Sequence, residues 1–376
     1  MGLTFGTVSA RRAYERIQQL TLTGIADSEF LAKLSGLLRE IVPFNACFWA
    51  AADPLTMLAT SPSRLENLGS GEACDKYWES EFFVEDVNHF RTLARMTSPA
   101  ATLYRVTEGH PRRSSRYHNL NLSLGLGDEL RCVFRTGVDV WGYACLWRAE
   151  DAQPFTPGEE QLLAGLADAI GHTFRRSALL RPGLAMDMPD APGLLIFDQT
   201  GALETLNEPA EAWLRELPLT PLRNDNPDII PLPSELRSVA NKARAIAAGR
   251  DSGNARARLL MHGYWVVIHG FALRETNAGS GKTALVIEPA KATEVAALIV
   301  KAYQLSRREQ QIVRLVANGL PTTDIAAMLR LSTHTIRGYL KQIFEKVEVS
   351  SRGELVAKIF AEHYKPTLNR DIRVDP

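Results

Sequence analysis

Residues 305–364 read LSRREQQIVRLVANGLPTTDIAAMLRLSTHTIRGYLKQIFEKVEVSSRGELVAKIFAEHY. Four short amphipathic segments follow one another there with tight joints. Ser306 with Glu309 three residues on predicts a capping box, in which hydroxyl and carboxylate satisfy each other's stranded N–H groups at a helix start. Ile312, Val313, Leu315 and Val316 face inward along that helix, and Gly319 ends it. A second helix over 322–329 buries Ile325, Ala326 and Leu329. Leu331-Ser332 makes the turn, and Ser332 caps a third helix. Ile336, Leu340, Ile343, Phe344 and Val347 fall at helical spacing and form its core side. A fourth helix over 351–364 carries Leu355, Val356, Ile359 and Phe360 on one face.

The third helix leaves His334, Thr335, Arg337, Gly338, Lys341 and Gln342 outside. This is the layout of a helix-turn-helix DNA reader. The N-terminal half of such a helix enters the major groove, where Arg pairs with guanine edges. Lys341, Lys346 and the free N–H groups at the helix start suit phosphates. The fixed-offset pattern goes further. Leu305-Ser306-x-Arg308-Glu309, Ala317-x-Gly319-Leu320, Ile325-Ala326-x-x-Leu329, Ser332-x-x-Thr335-Ile336-Arg337, Lys346-Val347 and Val349-x-Ser351-Arg352 together strongly resemble the LuxR-type C-terminal domain. With the helix reading, the resemblance implies a DNA-contact set of Thr322, Thr323, Ser332, Thr333, His334, Thr335, Arg337, Gly338, Lys341, Gln342 and Lys346. Part of the stripe Leu355, Val356, Ile359 and Phe360 is expected to join two monomers. Two positions depart from the family pattern. Pro321 stands where a Ser or Thr usually starts the second helix, so that cap falls to Thr322 or Thr323. Gly338 lies inside the recognition helix, at a cost of about 1 kcal/mol relative to Ala.

The whole chain has 376 residues and zero formal net charge, long enough for two or three domains with real cores. Its charge is unevenly spread. Residues 301–376 carry 13 Lys and Arg against 8 Asp and Glu, which leaves an acidic body and a basic end suited to phosphate. Cys47, Cys74, Cys132 and Cys145 form no CxxC pair, so reduced buried thiols are expected rather than a zinc site or a disulfide scaffold. The N-terminus shows no apolar segment behind positive charge, and no stretch approaches the 18 or so apolar residues of a membrane span. A cytoplasmic protein with no membrane partner is expected.

Upstream, residues 28–42 form an amphipathic helix capped by Ser28, with Phe30, Leu31, Leu34, Leu37, Leu38 and Ile41 on one face. Residues 46–52 read as a buried strand. Residues 129–135 and 140–148 read as a hairpin around Gly137, and 159–180 as one long helix. This order, with its turn from LRCVFRT into WGYACLWR, resembles a GAF domain over residues 1–180. Residues 181–190 are linker-like. GLLIFDQTGALETLNEPAEAWL then gives strand, tight turn, strand and a helix capped by Asn207 with Pro209 in its first turn. That run resembles the start of a PAS domain, assigned to 191–290 with later strands over 256–274 and 282–288. The segment 218–233, rich in Pro, Asn and Asp, marks an abbreviated, loop-rich version. A connecting helix covers 291–304, the reader domain 305–364 and a tail 365–376. The expected fold class is therefore multi-domain α+β: two sensor domains built on antiparallel sheets with flanking helices, and an all-α four-helix reader.

Other motifs weigh less. GSGKT at 279–283 lacks the Gly or Ala required five positions before Gly281, which is Thr276, and has strands on both sides, so a hairpin loop is expected there rather than a nucleotide site. The basic run around His110, Arg112, Arg113, Arg116 and His118 reads as a solvated loop, with anion recognition as its sharper alternative. Phe48, Trp49, Trp78, Tyr104 and Trp147 are candidates to line a small-molecule pocket in the first block. His262 and His269 are the only histidines placed to serve a haem in the second block, and core or surface roles are commoner. No cofactor and no metal are expected. No nucleophile–base set or metalloprotease helix appears, so the chain does not read as an enzyme. It reads as a homodimeric transcriptional regulator whose binding to promoter DNA is modulated by an unidentified effector or partner at the sensor domains. The alternative is a ligand-sensing regulator whose C-terminal bundle binds protein.

Overall fold

The computed structural model describes residues 8–22, 26–68, 71–179, 189, 191–217, 232–261, 264–273 and 281–361. The linker over 181–190 (Met188 and its neighbours, residue 189 apart), most of 218–233, His262, the front of GSGKT and the tail 365–376 lie outside the described residues. The chain is α+β, with two five-stranded antiparallel sheets and a helical C-terminal region.

The first sheet follows α1 (Val8–Leu22) and α2 (Ser28–Arg39). Asp27 rather than Ser28 caps α2, its Oδ1 accepting from the Phe30 N–H at 2.7 Å. Then come β1 (Ala46–Ala52), β2 (Ala59–Glu66), α3 (Gly71–Phe82), α4 (Phe90–Leu93), β3 (Ala100–Thr102), α5 (Leu103–Val106), β4 (Leu126–Thr136), β5 (Asp139–Ala149) and α6 (Pro157–Ser177). The strand order is β2-β1-β5-β4-β3. Gly137, at φ +63°, makes the two-residue hairpin turn that an L side chain resists. Strand alternation assigns each aromatic to a face. Trp49 stacks on Phe134 at 5.8 Å, and Phe134 on Phe174 of α6 at 6.0 Å. Phe48 points the other way, to Tyr77 and Trp78 of α3. Gly142 admits that first layer closely: a Cβ there would stand 2.8 Å from the Phe174 ring.

The second sheet comprises β6 (Gly193–Phe197), β7 (Leu203–Leu206), α7 (Glu208–Glu216), α8 (Ser234–Ala247), β8 (Arg256–Met261), β9 (Tyr264–Ala272) and β10 (Thr283–Pro289), in the order β7-β6-β10-β9-β8. Asn207 caps α7 through the Ala210 N–H at 3.0 Å, with Pro209 in the first turn. Lys282 begins no helix: its main-chain carbonyl accepts from Leu273 N–H, its Nζ pairs with Glu204, and β10 follows. Helix α8 is buried from Ser234 to Ala243, and the sequence reading did not find it. It packs on β9, where a Cβ on Gly270 would lie 3.0 Å from Val239 and Ala243, and against α3 and β2 of the first sheet. Trp78 Nε1 donates to Ser234 Oγ at 3.0 Å, and Arg258 of β8 pairs with buried Asp53 at 2.7 Å. The two sheets with α1–α8 consequently make one compact unit.

Helices α9 (Ala292–Ala302), α10 (Arg307–Ala317), α11 (Thr322–Leu329), α12 (Thr333–Val347) and α13 (Arg352–Val356) lie in a second unit. A π-helical turn over Ala357–Ala361 continues α13. Among the described residues no helix is long and apolar enough to cross a membrane. All four cysteines are buried and free.

Candidate functional site

The helical unit is built by its caps. Ser306 Oγ accepts from Glu309 N–H at 3.3 Å and Glu309 Oε2 accepts from Ser306 N–H at 2.6 Å, completing the capping box. Gly319 at φ +79° ends α10. Ser332 Oγ accepts from Thr335 N–H at 3.0 Å, and Ser351 Oγ from Glu354 N–H at 3.2 Å. Pro321 occupies the cap position of α11 with no side-chain bond, and neither Thr322 nor Thr323 replaces it; Thr323 Oγ1 donates instead to Asp324 Oδ1 at 3.0 Å. Arg308 donates to the Leu329 carbonyl at 2.8 Å and Arg352 to the Leu320 carbonyl. The first satisfies a carbonyl that the end of α11 leaves stranded, the second a carbonyl of the loop between α10 and α11. Ile312, Val313, Ile325, Ala326, Ile336, Leu340, Ile343 and Val347 share one core, with Leu315, Leu329 and Phe344 half-buried against it.

That core fixes which side of α12 meets solvent. His334, Thr335, Arg337, Gly338, Lys341, Gln342 and Lys346 are exposed, as are Ser332 and Thr323, while Thr322 and Thr333 are half-buried. Among the described residues, no acidic side chain engages Arg337 or Lys341. Lys346 differs. Its Nζ lies 2.7 Å from Glu309 Oε2, which serves the capping box at the same time. Burial pushes the Glu309 carboxyl up, but the Lys346 and Ser306 hydrogen bonds outweigh it and hold the group below its usual range. Lys346 is therefore a strut between α10 and α12, with its side chain still 41% exposed. Gly338 has nothing within 4 Å of the position a Cβ would take, so the gap it leaves is on the open face. Part of the proposed joining stripe packs within the bundle. Leu355 and Ile359 are fully buried in the bundle of a single chain, and Val356 packs against it. The side chain of Phe360 lies outside the described residues.

The first sheet holds a second constellation. A small apolar recess of about 20 Å³ lies between the sheet and α3. Phe48 and Trp147 form its floor, Tyr77 and Cys74 its α3 wall, and Ser234 reaches it from α8. Of the aromatics named from sequence, Phe48 and Trp147 line it. Trp78 stands behind Phe48 and Tyr77 at ring distances of 5.9 and 5.1 Å. Trp49 is on the opposite face of the sheet, and Tyr104 is 42% exposed on α5. Tyr77, Leu68, Leu120, Leu124 and Ser234 were missed, because helix and loop residues are not assigned to a cavity by strand periodicity, and Leu65 was missed because the sequence reading did not find β2.

Beside the recess runs a buried ionic cluster, also unforeseen. Arg116 was read as part of a solvated loop, yet it is fully buried and donates to Glu129 at 2.8 and 3.0 Å. Arg131 donates to Glu129 at 3.0 Å and to Glu81 at 2.7 Å, with its guanidinium over Phe90 and Tyr77. Asp86 accepts from the Arg116 N–H at 2.7 Å. Burial pushes Glu129 up, but the two guanidiniums overcome it and carry the carboxyl down to about 2. A loop arginine is drawn in because such a carboxylate cannot stay charged in an apolar interior without cations around it. Arg112 and Arg113 of the same run stay exposed. His269 is buried in β9 and stacks on Phe271 at 5.9 Å. Among the described residues no group of three or more His, Cys, Asp or Glu side chains is gathered as for a metal ion.

Residues 303–359 match the family described as bacterial regulatory proteins, luxR family. The transcriptional regulatory protein DesR of Bacillus subtilis is 38% identical over 61 residues, 16% of this chain and 31% of that protein. The uncharacterized transcriptional regulatory protein YhcZ of the same organism is 38% identical over 72 residues, 19% of this chain and 32% of that one. The chain spans about a third of the length of these curated relatives. Among solved structures, a Vibrio cholerae VqmA dimer is 14% identical over 49% of this chain and 84% of that one, with a TM-score of 0.20. The E. coli DhaR(N)–DhaL complex is 16% identical over 76% of this chain and 91% of that one, with a TM-score of 0.23. Overlaps this low carry no structural argument.

Proposed function

We propose that the chain is a sequence-specific DNA-binding transcriptional regulator, working as a homodimer, whose affinity for promoter sites is modulated by a ligand or partner at the two sheet-built sensor modules. One observation carries the reading. The face of α12 that the bundle core turns outward presents Arg337 and Lys341 without acidic partners among the described residues, within a segment matching a bacterial regulatory family. An unneutralised guanidinium near the start of an exposed helix suits a guanine edge, and a lysine one turn on suits phosphate. Two copies are part of the reading because one short helix reads few base pairs, and two half-sites supply the rest. The reading is of a binding protein rather than an enzyme. Footprinting of the intact chain on promoter DNA tests it: a protected site with two half-sites is expected. A folded chain that protects no DNA at low salt removes the reading in favour of a protein-binding bundle.

A further inference from the structure

Gly338 is a cost that nothing inside the chain explains. It is the sixth of the 15 residues of α12, and glycine weakens a helix interior relative to alanine. Its φ is not in the left-handed region, unlike that of Gly319, so the backbone does not demand it. Packing does not demand it either. A Cβ there would meet nothing within 4 Å, whereas one on Gly142 or Gly270 would meet a neighbour at 2.8 or 3.0 Å.

Its place on the helix gives the vacancy a meaning. His334 and Gln342, four residues either way, and Lys341, three on, share its face and are exposed. The outward face of α12 therefore has a notch, with polar side chains on both flanks and bare backbone between. At 1.5 Å per residue, His334 and Lys341 stand about 10 Å apart along the axis, roughly three base-pair steps.

What can lie opposite the notch follows from the chemistry of base edges. The N–H and C=O of Gly338 belong to the helix ladder, so it shows only Cα hydrogens. A guanine O6, an adenine N6 or a cytosine N4 pressed against it would lose water and gain no partner, which is costly. The thymine methyl is the apolar group on a major-groove edge. It asks for no hydrogen bond, and it projects into the space that a side chain would fill.

We propose that Gly338 is a specificity-determining residue, its notch receiving a thymine methyl at one position of each half-site while His334, Lys341 and Gln342 bear on the flanking base pairs and phosphates. The assignment rests on the reading of the chain as a sequence-specific DNA-binding regulator.

Selection of binding sites by the intact chain, followed by replacement of each selected thymine in turn by deoxyuridine, tests it. Deoxyuridine differs only in lacking the methyl. At one thymine per half-site the replacement should weaken wild-type binding about fourfold, the worth of one buried methyl group. Gly338→Ala fills the notch with a methyl of its own. It should bind the thymine site about tenfold more weakly than wild type, and regain most of that loss when deoxyuridine stands at the same position, while melting no lower than wild type. At the other thymines deoxyuridine should change both proteins alike. Three results overturn the proposal and keep the regulator: Gly338→Ala binding the thymine site as wild type does, a loss that deoxyuridine relieves at no position, or a selected half-site without thymine. Intact wild-type protein that selects no sequence removes the regulator reading and the notch with it.

Discussion

At the scale of single residues, charge is handled in opposite ways at the two ends of the chain. Glu129 is locked between Arg116 and Arg131 with no exposure, whereas Arg337 and Lys341 stand in solvent without acidic partners among the described residues. Glu129→Gln leaves two buried guanidiniums undercompensated and should cost about 3–5 kcal/mol in urea unfolding at pH 7. The pH dependence has a definite sign. The folded carboxyl sits near 2 against an ordinary 4.5, so its stabilisation is present above pH 4.5 and is lost as pH falls towards 2. The gap between wild type and variant should therefore narrow in acid, by at most about 1.4 kcal/mol per pH unit. A gap constant down to pH 3 would refute the pairing. For the exposed pair, Arg337→Ala should relax sequence preference in a binding-site selection. Lys341→Ala should weaken binding to all sequences alike and reduce the slope of log affinity against log salt by about 1. Lys346→Ala should leave that slope alone and lower the melting temperature, because its ammonium is held by Glu309.

At the scale of elements, α12 and α8 show where residue patterns suffice and where they do not. Helix α12 has one wet face and one dry face, so its period of 3.6 is visible in the chain, and its cap and core positions were all legible. Its irregularity is legible too. Gly338 has open space around its missing side chain, so Gly338→Ala should stabilise the helical unit by about 1 kcal/mol in thermal unfolding. A simultaneous fall in DNA affinity would show that the backbone approaches DNA there; unchanged stability would contradict the open geometry. Helix α8 escaped notice because it has no wet face over most of its length. Packed between two sheets, it buries Arg237, Asn241 and Lys242 along with Leu236 and Val239, so polarity no longer reports exposure. Arg237 is matched by Asp75, far away in sequence, and Lys242 by Asp251, beyond the end of its own helix. Periodicity cannot see such partners.

At the scale of the whole molecule, the two sheets are tied by Trp78–Ser234, Asp53–Arg258 and Glu79–Arg244. They should therefore unfold in one transition. Burial pushes Asp53 above its ordinary value despite the pull of Arg258. Arg258→Met leaves that carboxyl in the interior without its cation, and should destabilise the sheet unit by about 3 kcal/mol while the transition of the α9–α13 unit stays in place. Two separate sheet transitions in calorimetry would count against a single unit. The sequence by itself determined the helical reader, the two hairpin-rich blocks and the caps at Asn207, Ser306 and Ser332, because these depend on contacts within a few positions. The order of strands across each sheet, the burial of Arg116, the diversion of Lys346 to Glu309, and the recess closed by Ser234 were decided only in the tertiary structure. Each depends on a neighbour far along the chain, and a buried polar group has no local signature until the partner that compensates it is in place.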